Sequence, residues 1–331
     1  MRFLIRFFLL SCLVLAIVTA VFFRWAGQPL VMHQETVDFR ITPGSSLRTA
    51  IQTMSAAGIE MDPRLFALLA RVRGQSSAIR AGSYSAAQGE TPESLLVKLA
   101  TGKVSQSDIT LVEGWTFQQF RSRMDVHPEL IHDSRGLSDE EIIERLGLPW
   151  KNLEGRLFPD TYLFDKQSGE LELIARAVRV MQDKLDALWQ QRPAGLPYHG
   201  PDDALIMASI IEKETGAEQD RQMVAAVFIN RLRIGMRLQT DPTVIYGLGT
   251  HFDGNLRRSD LSRDTPYNTY TRAGLPPTPI AMPGLSSLHA AFTPAASDVL
   301  YFVARGDGSS QFSRTLGEHN QAVNRYQRGR R

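Results

Sequence analysis

The chain has 331 residues, 37 Lys and Arg against 35 Asp and Glu, and a formal net charge of +2. Its ordinary apolar and charged fractions exclude long-range disorder, and no basic run interleaved with aromatics marks nucleic acid as a partner. Cys12 is the only cysteine, so internal disulfides and cysteine-based zinc sites are excluded.

Residues 7–23 are uncharged and strongly apolar, with Arg2 and Arg6 before them and Arg24 after. With Phe3, Leu4 and Ile5 the run is long enough to span a bilayer if Arg6 snorkels. A cleaved signal peptide is the competing reading, with Val18–Ala20 as a small-residue site. The apolar run continues past Ala20, which favours an uncleaved anchor at 7–24. Residues 1–6 are then a short cytoplasmic N-terminus, and everything after Arg24 lies outside the cytoplasm.

From Glu35 to about residue 106 short elements alternate. Val37–Ile41 alternates like a strand, Pro43-Gly44 turns, and Ser45 or Ser46 caps a helix beginning near Leu47. Gly82–Ser85 and Ile109–Val112 each lead through a glycine turn into a capped helix, the common grammar of α+β folds. The first strand, turn and helix resemble the small glycan-binding LysM module. Residues 121–150 read as helical pieces with loops. Leu153–Phe164 is dense in aromatics around Glu154, Asp160 and Tyr162, the residue types that line a sugar groove. Leu171, Ile174, Val178, Met181, Leu185 and Leu188 form the apolar stripe of an amphipathic helix.

Ala204–Gly216 is an almost wholly apolar helical run ending in Glu212 and Glu214. Asp202 and Asp203 stand before it as N-caps, and Gly216 as its stop. A helix apolar on all sides is buried. A carboxylate at its end therefore leaves the core at a wall or cleft, with its pKa raised. Glu214 shares a face with Met207, Ile210 and Ile211, and Glu212 follows Leu205 and Ala208. Periodicity does not choose between them. A second amphipathic helix is expected over Asp220–Arg233, with Met223, Val227 and Ile234 inward and Gly235 ending it. Arg237–Gly249 reads as a strand with hydrogen-bonding side chains along one face. The proline-rich stretch Gly274–Gly284 is extended, Ser286–Phe292 a short helix and Val299–Val303 a buried strand. Gly306–Gly308 turns a hairpin, and Glu318–Asn320 belong to the last helix. Four arginines, at 325, 328, 330 and 331, make a short basic tail. The seven histidines are scattered and no HExxH occurs, so no metal and no cofactor is expected.

Several stretches together resemble the endolytic murein transglycosylases, the MltG (YceG-like) family. They are Glu154-Gly with Phe158–Thr161, Ala208–Thr215, Val227–Gly247, Tyr267–Tyr270, Gly274–Pro277, Tyr301–Val303 and His319-Asn320, in the family's order over about half of the chain. The resemblance implies an α+β architecture: an N-terminal transmembrane helix, a small LysM-like module at 35–106 and a larger mixed catalytic domain at 107–331. It implies an inner-membrane enzyme with its body in the periplasm, cutting peptidoglycan glycan strands between N-acetylmuramic acid and N-acetylglucosamine. It places the catalytic acid on Glu214, with Glu212 supporting. Gln239, Asp241, Tyr246, Asn268 and Tyr270, then Glu154 and Asp160, become candidates for binding the sugars. Penicillin-binding synthases are the expected protein partners. Two rival classes stand beside this: a hydrolase pairing Glu214 with Asp241, and a non-catalytic wall-binding scaffold.

Overall fold

The computed structural model describes residues 2–328. Arg330 and Arg331 of the basic tail lie outside them. Contacts divide the chain into two units. One runs to Asp108 and adds Pro128–Ile131 and Leu163–Ser168; the other holds Ile109–His127, His132–Tyr162 and the chain from Gly169.

The first unit begins with α1 (Arg2–Ala26), the one helix among the described residues long and apolar enough to cross a membrane. After β1 (Val31–Met32), strand β2 (Thr36–Ile41) buries Val37, Phe39 and Ile41 in strict alternation, as its sequence period requires. Ser46 caps α2 (Leu47–Ala56), accepting from the Thr49 N–H. Next come β3 (Ile59–Glu60), which pairs with β1, and α3 (Pro63–Val72), capped by Asp62 with proline in its first turn. Then β4 (Gly82–Ala87) pairs antiparallel with β2, bringing Phe39 opposite Tyr84, and their rings stack at 5.8 Å. A capping box on Thr91 and Ser94 starts α4 (Pro92–Thr101). The core gathers Phe39, Met54, Phe66, Leu69, Tyr84 and Leu99, and the end of α1 joins it through Phe22, Trp25 and Ala26.

Short strands β5 (Gln106–Thr110), β6 (Leu130–Ile131), β7 (Thr161–Asp165) and β8 (Ser168–Gly169) fall where the chain passes from one unit to the other. The second unit is mainly helical. It contains α5 (Phe117–Asp125), α6 (Asp139–Leu146), α7 (Glu170–Gln190), α8 (Pro201–Glu214), α9 (Arg221–Arg233), α10 (Asp241–Leu248), α11 (Arg258–Ser262), α12 (Leu285–Phe292) and α13 (Leu316–Val323). A hairpin joins β9 (Tyr301–Ala304) to β10 (Ser310–Ser313). Helix α8 is buried on every side from Ala204 to Ile211, with α7, α9 and α12 packed around it. Its Ser209 hydroxyl donates to the Ile206 carbonyl at 2.7 Å and accepts from the Ile280 N–H at 3.0 Å, fastening the proline-rich stretch to the helix.

Three expectations are corrected. Arg237–Gly249 is not a strand: Thr240-Asp241-Pro242 puts an N-cap and a proline at the first helical turn, and α10 follows. Asp202 and Asp203 do not cap α8. The helix starts at Pro201 after Gly200, both acids lie in its first turn, and Asp203 accepts from the His199 N–H at 2.7 Å. Ile234 is exposed, because α9 has already ended at Arg233 and the chain turns at Gly235.

Candidate functional site

Helix α8 delivers Glu214 to the wall of a cavity of about 630 Å³. The chain continues past it with Thr215 extended, so the helix ends where its apolar faces end. Other segments complete the cavity: Phe228 and Arg231 of α9, Leu238, Gln239 and Asp241 around the start of α10, Tyr270, the Tyr301–Ala304 strand, and His319 of α13. Gln239, Asp241 and Tyr270, singled out by sequence, therefore stand with Glu214.

The Thr240 hydroxyl donates to Glu214 Oε1 in a short hydrogen bond. Thr240 is held beneath the acid by two more buried threonines. Its N–H donates to Thr269 Oγ1 at 3.1 Å, its carbonyl accepts from Thr243 Oγ1 at 2.8 Å, and those two hydroxyls meet at 2.9 Å. Gln239, just before, takes a left-handed conformation with φ of 51°, unusual outside glycine. Its N–H donates to the Thr269 carbonyl at 3.2 Å, which holds the turn in place.

Burial raises the pKa of Glu214 above its ordinary 4.5. Thr240 opposes the shift by donating to the carboxylate, the Asp241 charge adds to it, and Arg231 lowers it. Burial wins, and the net shift is upward. Asp241 accepts from the Tyr270 hydroxyl at 2.5 Å, and burial together with Asp241 pushes the Tyr270 phenol up, so it remains a donor.

Arg231, Tyr301 and His319 also line the cavity, and the sequence reading did not select them for it. Arg231 is buried with Nε donating to the Leu300 carbonyl at 2.7 Å and Nη1 to the Leu238 carbonyl at 2.6 Å. Its guanidinium lies 5.3 Å from the centre of the Tyr301 ring, and His319 stacks on the same ring at 5.3 Å. Burial, then the Arg231 charge, lowers the His319 pKa and favours the neutral ring, whose buried Nδ1 has no partner among the described residues. These side chains sit on elements far apart in sequence; each lies in a stretch that carries the family resemblance, but no local pattern singles them out.

The other candidates are elsewhere. Glu154 is buried, accepting from the Phe117 N–H at 3.1 Å and the Tyr246 hydroxyl at 3.1 Å, and burial raises its pKa to about 7. Tyr246 is spent on that bond. Asn268 is wholly buried and staples a loop, donating to the carbonyls of Asp260, Leu261 and Arg263 and accepting from the Tyr270 N–H. Asp160 accepts from the Thr161 N–H at 2.7 Å at an exposed turn. Glu212 points away from the cavity. It accepts from the Gly284 N–H at 3.0 Å and approaches Arg221 at 4.0 Å, tying the end of α8 to the start of α12.

Two further groupings share no residue with the Glu214 cavity. A cavity of about 470 Å³ beside Trp150 and Gln182 holds one carboxylate, Asp202, already paired with Arg156 at 2.7 Å. Asp125, His132 and Glu170, remote in sequence, come close enough to share an ion. The buried Glu170 is instead satisfied by His132 Nδ1 and Ser134 Oγ, each at 2.5 Å, which makes it a packing device.

The sequence pattern of the YceG-like family matches residues 39–325. A Bacillus subtilis protein named endolytic murein transglycosylase is 34% identical over 312 residues, spanning 88% of this chain and 85% of its own. A Streptococcus pneumoniae R6 protein of the same name is 27% identical over 318 residues, which are 86% of this chain and 57% of that protein. This chain thus spans little more than half of that relative. The crystal structure of a YceG-like protein from Listeria monocytogenes is similar with a TM-score of 0.53 and 31% identity, covering 87% of this chain and 98% of that one.

Proposed function

The chain belongs to the YceG-like family, and from that premise we propose that it is a membrane-anchored endolytic peptidoglycan transglycosylase with Glu214 as its catalytic acid and base. The observation that carries this reading is a buried carboxyl group with a raised pKa, opening on a cavity walled by hydrogen-bonding and aromatic side chains.

The chemistry runs on one carboxyl group. Thr240 donates to Oε1, so the transferable proton sits on Oε2. That proton goes to the glycosidic oxygen as its bond to C1 of the muramic acid breaks, leaving oxocarbenium character on the sugar. The carboxylate then takes the proton of the C6 hydroxyl of the same sugar. The C6 oxygen bonds to C1, and a 1,6-anhydro end results. Because the nucleophile is tethered, effective concentration replaces the second carboxylate that ordinary glycosidases require. Gln239, Asp241 and Tyr270 bind sugar hydroxyls, and the Tyr301 ring, backed by His319, offers a stacking face. Arg231 is too well bonded to move, and it sets the charge beneath the acid.

Helix α1 is the single-pass anchor, its N-terminus cytoplasmic and the chain after it periplasmic, where peptidoglycan lies. The LysM-like first unit adds affinity for glycan, and synthases of the penicillin-binding class supply the nascent strand. A hydrolytic reading, with Asp241 activating water, draws on the presence of both acids in one cavity.

Digestion of purified peptidoglycan by wild type and Glu214→Gln tests the proposal. Wild type should release anhydro-ended fragments, and the variant none while keeping its melting temperature. An active Glu214→Gln enzyme contradicts the assignment.

A further inference from the structure

The end of α1 is not tethered to the first unit by a loose linker. Phe22, Trp25 and Ala26 pack into that unit's core, so the helix and the unit form one piece. At a rise of about 1.5 Å per residue, Phe3–Val21 fill the roughly 30 Å hydrocarbon layer. Phe22, Phe23 and Trp25 then lie at the headgroups, where aromatic side chains collect.

Helix α3 reaches that level. Arg73, the residue that closes it, places its guanidinium 5.3 Å from the centre of the Phe23 ring. The face of α3 bearing Phe66, Leu69 and Ala70 is buried in the unit. Its opposite face carries Arg64, Leu68, Arg71 and Val72, with Leu68 and Val72 42% and 55% exposed. Apolar side chains between arginines are the composition of a helix lying in a membrane interface.

We propose that this face of α3 docks on the outer leaflet of the membrane that α1 spans, with Leu68 and Val72 entering the interface and Arg64 and Arg71 binding anionic phospholipid headgroups. The docking rests on the reading of α1 as the anchor. It holds the first unit against the bilayer, so the protein does not swing freely on a stalk. Juxtamembrane basic residues favour an anionic surface, by about fivefold in the docked population for each arginine.

The test uses the full chain with Cys12→Ser and a bimane label on Leu68→Cys or Val72→Cys. The protein is reconstituted in vesicles of phosphatidylcholine alone or mixed with phosphatidylglycerol. Spin-labelled lipid should quench the label at both positions, more in the mixed vesicles. Arg64→Gln with Arg71→Gln should remove that preference. Absence of quenching at 68 and 72 in protein that resists alkaline carbonate extraction overturns the docking while leaving the anchor intact. Equal quenching in the two compositions overturns the headgroup contact. Extraction by carbonate instead means that the anchor reading itself has failed, and the docking with it.

Discussion

Replacing Thr240 by valine removes the hydroxyl that donates to Glu214 Oε1 and keeps the shape of the side chain. The backbone bonds of Thr240 to Thr269 and Thr243 remain. A hydrogen bond to a carboxylate contributes about 2 kcal/mol and one to a neutral acid about 1 kcal/mol. Valine therefore penalises the charged form by about 1 kcal/mol more than the neutral form, which is about one pKa unit. The sign is fixed by the cause: Thr240 lowers the Glu214 pKa, so its loss moves that pKa further up. In the proposed reaction the free enzyme must hold the proton, and kcat/KM falls on the alkaline side as Glu214 ionises. The alkaline limb of the kcat/KM profile on isolated glycan strands should move up by about one pH unit. Thr240→Ser should return it. A limb that stays in place, or moves down, refutes the role given to Thr240 and to Glu214 as the titrating acid.

The other outcomes follow from the same geometry. Asp241→Asn removes a charge that raises the Glu214 pKa, so the alkaline limb should move down with turnover retained at low pH; abolished activity at every pH would favour the hydrolytic reading. Glu154 holds a proton in the folded state up to a pH of about 7 that the unfolded chain releases near 4.5. Folding stability should therefore fall by about 3 kcal/mol as pH rises through that window, and melting curves of Glu154→Gln should lack the slope. Glu212→Ala leaves the Gly284 N–H without its acceptor, lowering stability by about 1–3 kcal/mol in denaturant melts, while the folded fraction keeps its activity.

What could be read from sequence was whatever a local period or cap decides. The long apolar α1, the buried α8, the stripe of α7 and the Ser46 cap follow from residues within one or two turns. Arg237–Gly249 has the polar face of a strand, yet the Thr-Asp-Pro start signal inside it makes a helix. In the candidate site, a buried helix running out of core marked Glu212 and Glu214 alike, and only the family resemblance singled out Glu214. The site was obscure at Arg231, Tyr301 and His319, which converge only when α9, the β9–β10 hairpin and α13 pack together. Glu154 and Asn268 carry the polar groups of a binding residue, but burial commits those groups to the protein's own backbone and to Tyr246. Residue type alone does not distinguish a ligand for sugar from a ligand for a loop.

In the proposed reaction Glu214 serves a tethered nucleophile and no water enters the bond. Digestion of peptidoglycan in oxygen-18 water, read by mass spectrometry of the new muramic acid ends, measures this directly. Ends one water lighter than reducing sugars and free of the heavy isotope are expected. Reducing ends carrying oxygen-18 would contradict the tethered nucleophile and give the reaction to Glu214 with Asp241.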